Sequence, residues 1–249
     1  TLLTGRLDPF QPITTTLPEA LRALGRTTSS AIPVEVTRYA GDTLLARGIA
    51  RRRQVRTDGV TANVGDHVSA ATTTREGLRA LDAAGDAPWF AWLHYFDVHE
   101  HHQIAVPEEL LAAVSSAASP KRHRYRALLV AIDRELGRLR QELVERGLAE
   151  RTIIVLASDH GESLGEDPRL GDTHGKVTYP ALTRIPLAIH VPGVPGRVLT
   201  DPASLIDVAP TLLSLLGARG AMEPLEGTDL VPAILGAPPA LRRTERALV

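Results

Sequence analysis

Three clusters of side chains in this sequence have the types and spacing to bind cations or anions, and two of them stand directly after apolar runs. The run Thr152-Ile153-Ile154-Val155-Leu156-Ala157 ends in Ser158-Asp159-His160-Gly161-Glu162. A carboxylate and a neutral imidazole are both good ligands for a divalent cation, which makes Asp159 and His160 candidate metal ligands. Asp and Gly are also ordinary loop residues, and on residue type alone that alternative stays open. The run Trp89-Phe90-Ala91-Trp92-Leu93-His94-Tyr95-Phe96-Asp97 leads into Val98-His99-Glu100-His101-His102, so four of the nine histidines fall between positions 94 and 102. The third cluster is His174-Gly175-Lys176, behind a loop rich in Gly, Asp and Pro. Lys121 and Lys176 are the only lysines among 28 basic residues, which singles Lys176 out.

Such clusters need strands to carry them. An unbroken β-branched run like that before Asp159 suits a strand buried on both faces of a parallel sheet. In open α/β sheets, ligands bind outside the carboxyl ends of the strands, where Asp159 and His160 would then stand. The aromatic run over residues 89–97 predicts a second such strand. Between them, Leu128, Leu129, Ile132, Leu136, Leu139 and Leu143 recur at spacings of three and four, predicting an amphipathic helix over 125–147. A helix, a short loop and a buried strand make up the αβ half of a doubly wound fold.

The remaining pattern fits the same class. Residues 1–6 read as a helix end closed by Gly5. Residues 16–25 read as a helix with Thr16 at its N-cap, Pro18 and Glu19 in its first turn, and Leu17, Leu21 and Leu24 on one face. Residues 27–33 are a candidate strand, and residues 68–84 a helix with Leu78 and Leu81 inward. Residues 34–67 carry no clear period; Arg51, Arg52, Arg53 and Arg56 there read either as a solvated face or as a contact for an anionic substrate. Further on, 185–191 reads as a strand, 205–207 as a brief strand, 209–216 as a helix, 230–235 as a last short helix, and 242–249 as the approach to another strand. With no repeat, low-complexity block or linker, residues 1–249 read as one domain.

The chain has 249 residues, 43% of them hydrophobic and 23% charged, with a net charge of -1. That is an ordinary balance for a folded α/β protein, and no global field draws it to nucleic acid or to an anionic membrane. The absence of cysteine excludes disulfides and thiolate metal sites.

Taken together and in order, several segments resemble the sulfatase branch of the alkaline phosphatase superfamily. Leu2-Leu3-Thr4-Gly5-Arg6 and Thr16-Leu17-Pro18-Glu19-Ala20-Leu21 look like the helix after the family's nucleophile and the helix that follows. His94-Tyr95-Phe96-Asp97-Val98-His99 looks like its H-x-F-D-P-H strand end. Ser158-Asp159-His160-Gly161-Glu162 with Leu164-Gly165-Glu166 looks like its metal-binding loop. His174-Gly175-Lys176 leading to Arg184-Ile185-Pro186-Leu187 looks like its anion-contacting segment, and residues 204–213 look like a later family signature.

The resemblance implies a three-layer αβα sandwich with a mostly parallel central sheet, alkaline phosphatase-like and cut at both ends. It implies a metal-dependent hydrolase of sulfate esters, with Asp159 and His160 as metal ligands. His99 would contact the transferring group or the leaving group, and His174 and Lys176 would line the same anion site, Lys176 as a charge clamp. The implied cofactor is a divalent cation, Ca, Zn or Mn. The implied substrate is a small-molecule, glycan or lipid sulfate or phosphate ester, with no nucleic acid partner. Membrane association would come only through segments outside this chain, and an envelope or extracellular location rests on the resemblance alone. Glu162 is expected to brace the metal loop, His101 and His102 to face solvent, and His190 to be structural.

The family's nucleophile, its first strand and that strand's acidic ligands would precede Thr1, so this chain by itself is expected to be inactive. Val98 stands where the family has Pro, which bears on the aim of His99. His160 stands where sulfatases often carry Asn; an imidazole suits Zn or Mn better than Ca. That leaves open a phosphoester hydrolase, or a phosphoethanolamine or phosphoglycerol transferase of the same superfamily. A non-catalytic relative that keeps the fold as a binding module is the alternative of another class.

Overall fold

In a computed structural model of the chain, the described residues are 2–7, 12–40, 46–55, 68–115, 119–167, 174, 178–222 and 224–237. They divide into two units, residues 21–147 and residues 1–20 with 148–249. The boundary falls within helix α1 (Leu17–Ala23). Arg56, Lys176 and the expected strand approach at 242–249 lie outside the described residues. No helix among the described residues is long and apolar enough to cross a membrane.

The unit of residues 21–147 is built on a parallel sheet in the order β2-β1-β3. Its strands are β1 (Thr27–Pro33), β2 (Arg51–Val55) and β3 (Trp89–Leu93). In register, Ser30 stands beside Arg52 on one side and Trp92 on the other. Strand β1 holds the centre although its sequence is Thr-Thr-Ser-Ser-Ala-Ile-Pro, with six of its seven residues buried. Small side chains suit a strand covered on both faces, and two of its hydroxyls bond neighbouring backbone. Thr28 Oγ1 donates to the Gly48 carbonyl at 2.5 Å, and Ser29 Oγ to the Phe90 carbonyl at 3.3 Å. Strand β2, from the stretch without a readable period, exposes Arg51, Arg52 and Arg53, as a solvated face would.

Helix α2 (Val34–Ala40) follows β1, and helix α3 (Ala70–Asp82) packs across the sheet. Its buried residues are Ala70, Thr73, Thr74, Gly77, Leu78, Ala80 and Leu81, and all but Ala80 form one stripe at spacings of three and four. The stripe includes Leu78 and Leu81, as expected. A Cβ at Gly77 would come within 2.6 Å of Leu93 Cδ2, so glycine lets α3 settle onto β3. Helices α4 (Glu108–Ala112) and α5 (Pro120–Glu145) complete the unit. Helix α5 starts earlier than its leucine period suggested, because Pro120 occupies its first turn, where a missing N–H is harmless. Its buried stripe is Ala127, Leu128, Ala131 and Leu143, while Leu129 is exposed.

In the other unit, β4 (Ile154–Ala157) pairs antiparallel with β5 (Leu187–His190), with Val155 opposite Ile189. This differs from the expectation of a parallel strand buried on both faces: β4 is half-buried and Leu156 is 42% exposed. An apolar, β-branched run sets strand propensity but not the direction or number of its neighbours. Helix α6 (Pro180–Thr183) precedes β5. Residues 205–207, expected as a brief strand, form a 3-10 turn. Ser204 and Asp207 close a capping box there, with the Ser204 N–H donating to Asp207 Oδ2 at 2.9 Å, and that reciprocal bond is a helix-start device. Helices α7 (Val208–Leu215) and α8 (Val231–Ile234) follow. Asp207 is fully buried and also accepts the Thr228 N–H at 2.6 Å, while Thr211 Oγ1 accepts the Leu230 N–H at 2.9 Å. These bonds tie the start of α7 to the approach of α8.

Candidate functional site

The loop after β4 is shaped by its own backbone and by α6. Gly161 donates its N–H to the Leu182 carbonyl at 2.7 Å, and Ser158 Oγ donates to the His160 carbonyl at 2.5 Å. A Cβ on Gly161 would meet the Ala181 carbonyl oxygen at 1.9 Å, so only glycine permits this approach. The loop is thereby held with the Asp159 and His160 side chains toward solvent. The Asp159 side chain is 69% exposed.

Here His160 has its tautomer set. Its Nδ1 lies 2.7 Å from the Gly161 carbonyl oxygen, which can only accept, so Nδ1 carries the proton and Nε2 the lone pair of the neutral ring. Nε2 lies 3.8 Å from Asp159 Oδ2. An imidazole anchored through one nitrogen to a carbonyl, with the other turned toward a carboxylate, is how a metal-ligating histidine is oriented. The donor chemistry of Asp159 and His160 suits part of the coordination shell of a divalent cation. Among the described residues no three His, Asp or Glu side chains converge tightly enough to complete that shell.

His174 joins the same cluster. Its ring stacks on that of His160, with centroids 4.4 Å apart and planes at 27°. Its Nδ1 is 2.9 Å from Glu162 Oε2, while Glu162 Oε1 accepts the Ser163 N–H at 3.1 Å. Glu162 therefore does more than brace its own loop: its buried carboxylate aims the His174 ring. The cue in the sequence was a glutamate three residues after Asp159.

His99 stands in the other unit, just beyond β3, in a turn closed by its N–H to the Phe96 carbonyl at 3.0 Å. Its neighbours divide sharply by role. Asp97 is buried, and its carboxylate accepts N–H bonds from Ser69, and from Ala70 at 3.2 Å, capping helix α3. Desolvation pushes the Asp97 pKa up, against the pull of those hydrogen bonds. Burial likewise raises the Tyr95 phenol, whose OH is 2.9 Å from Thr74 Oγ1. His101 is 3% exposed, contrary to the expected solvent-facing position. Its Nδ1 folds back to the Val98 carbonyl at 3.0 Å, and its ring meets Tyr125 edge-on at 5.5 Å, so the turn carries it inward onto α5. His102 is exposed as expected. Glu100, which residue type alone did not single out, is buried beside His99.

The structure thus brings Asp159, His160, Glu162 and His174 together in one unit and places His99 in the other. Comparison with known proteins adds the following. A family model described as Sulfatase matches residues 2–218. Steryl-sulfatase of Rattus norvegicus is 30% identical over 164 residues, 61% of this chain and 27% of that protein. Choline-sulfatase of Rhizobium meliloti (strain 1021) is 35% identical over 131 residues, 51% of this chain and 24% of that protein. The chain spans about a quarter of the length of these curated relatives. The solved phosphonate monoester hydrolase from Silicibacter pomeroyi superposes with a TM-score of 0.67 over 96% of this chain and 67% of that chain, at 21% identity. At that identity the likeness speaks for the fold alone, the α/β class with a mostly parallel sheet, as in the alkaline phosphatase-like αβα sandwich.

Proposed function

The chain belongs to the sulfatase family of the alkaline phosphatase superfamily, and from that premise we propose that it serves a metal-dependent hydrolase of sulfate esters. The observation that carries the metal part is the His160 imidazole, fixed through Nδ1 on the Gly161 carbonyl with Nε2 3.8 Å from Asp159 Oδ2. Asp159 and His160 would hold the cation. When bound, a divalent ion there supplies charge neutralisation for the oxygens of the group being transferred. His174, aimed by Glu162 through Nδ1, would contact a sulfate oxygen as the imidazolium, donating from Nε2. Lys176 is proposed as a charge clamp on the transferring group, and His99 as a contact to that group or to the leaving group, both from the resemblance. The named relatives act on steryl and choline sulfates, which supports a sulfate monoester as the substrate class.

One feature favours a second reading within the superfamily. An imidazole at position 160 suits Zn or Mn better than Ca, which favours a phosphoester hydrolase or a phosphoethanolamine or phosphoglycerol transferase.

The test is calorimetric titration of Zn, Mn and Ca, together with hydrolysis of matched aryl sulfate and aryl phosphate esters, by the complete gene product. Asp159→Ala and His160→Ala are assayed beside it. Each substitution is expected to weaken binding of the preferred ion at least ~10-fold and to abolish turnover of the sulfate. Equal ion binding and turnover in wild type and variants would overturn the proposal. Turnover confined to the phosphate ester would move it to the second reading.

A further inference from the structure

His99 is held from three directions. Its ring lies on Phe96, with centroids 4.4 Å apart and planes 17° from parallel. Its backbone N–H closes the turn on the Phe96 carbonyl. Its Nδ1 is 2.9 Å from Glu100 Oε1, and the Glu100 side chain is 7% exposed against 25% for His99. A carboxylate only accepts, so Nδ1 carries the proton of this hydrogen bond, and the bond fixes the direction in which Nε2 points.

The carboxylate is itself preset. The Glu100 carbonyl accepts the N–H groups of Gln103 and Ile104 at 2.8 and 2.9 Å, folding residues 100–104 into a tight turn. Arg124 of α5 grips that turn, donating Nε to the His101 carbonyl at 3.0 Å and a terminal guanidinium nitrogen to the Ile104 carbonyl. Position is passed from α5 to the turn, from the turn to Glu100, and from Glu100 to the His99 imidazole. A buried carboxylate is a costly way to fill space, and an apolar side chain would serve packing better.

We propose that Glu100 is the positioning residue for His99, holding the ring through its Nδ1–H and orienting Nε2, which donates to an oxygen of the transferring group when the ring is protonated. This rests on the reading of His99 as a contact to that group. It also answers the loss of proline at position 98: the aim of His99 is kept by the Phe96 stack and the Glu100 hydrogen bond rather than by a rigid backbone.

The test compares His99→Ala, Glu100→Ala and Glu100→Gln in the complete gene product, by steady-state hydrolysis of an aryl sulfate and by nitrogen-15 spectra of the histidine rings. The glutamine amide oxygen can still accept from Nδ1–H, whereas alanine cannot. Glu100→Ala is expected to lower kcat about 10- to 100-fold with KM unchanged, as removal of an outer hydrogen-bond partner from a working histidine does. The His99 spectrum should then show mixed tautomers. Glu100→Gln should restore both the tautomer and most of kcat, a rescue that a purely structural carboxylate would not show in the kcat of folded protein. Wild-type kcat in Glu100→Ala, with His99→Ala inactive, would overturn the positioning role alone. Wild-type kcat in His99→Ala would overturn the role of His99, and the inference with it.

Discussion

Two acidic residues beside His99, Asp97 and Glu100, are both buried, yet they do different work because of what they face. Asp97 caps α3, with three hydrogen-bond donors from Ser69 and Ala70 on its carboxylate. Desolvation still raises its pKa above the ordinary 3.8. The folded chain therefore keeps this proton at a pH where the unfolded chain has released it. The resulting stabilisation is full below pH 3.8 and is lost as pH rises through the higher folded value. Asp97→Asn keeps an acceptor and has no charge to lose. Urea unfolding over a pH series should show the stability of wild type relative to Asp97→Asn falling as pH rises from the acid side, and a flat difference would contradict this. Residue type made His99, Asp159, His160 and His174 legible as candidates. It could not show that Asp97 belongs to the scaffold, that Glu162 aims His174, or that Glu100 faces His99, since each depends on which atom lies within hydrogen-bond reach.

At the level of elements, the site loop is only as well placed as its seat on α6. Gly161 meets the Ala181 carbonyl where no Cβ fits, and backbone, unlike the end of a long side chain, cannot swing away. Gly161→Ala is expected to destabilise the protein by about 1–3 kcal/mol, the usual range for overpacking. It should also displace Asp159 and His160 enough to weaken ion binding, measured by denaturant unfolding and by titration of Zn and Mn. Unchanged binding would mean that the loop holds its shape without α6. The periodic helices α3 and α5 were legible because an apolar stripe at three-four spacing has one reading. Strand β1 was harder, since a central strand made of Thr, Ser and Ala has no alternation. In sequence the turn at 205–207 reads as a strand, because its apolar residues outweigh the Ser204–Asp207 cap in the pattern.

For the whole molecule, a cation bound only by the folded chain must raise its stability. At 100 times the dissociation constant the gain is about 2.7 kcal/mol, which for a chain of this size raises the unfolding midpoint by roughly 5–10 °C. Calorimetric scans with Zn or Mn should show that rise, and EDTA or His160→Ala should remove it. An unchanged midpoint in wild type would mean that the loop after β4 holds no ion. Family membership, the α/β class and the identity of the candidate ligands were determined by the sequence alone, because each is carried by residue types at short, fixed spacings along the chain. The antiparallel partner of β4, the buried place of His101 and the carboxylates behind His174 and His99 were decided only by the tertiary structure. They depend on contacts, some between residues distant in sequence, whose direction and donor geometry no local spacing encodes.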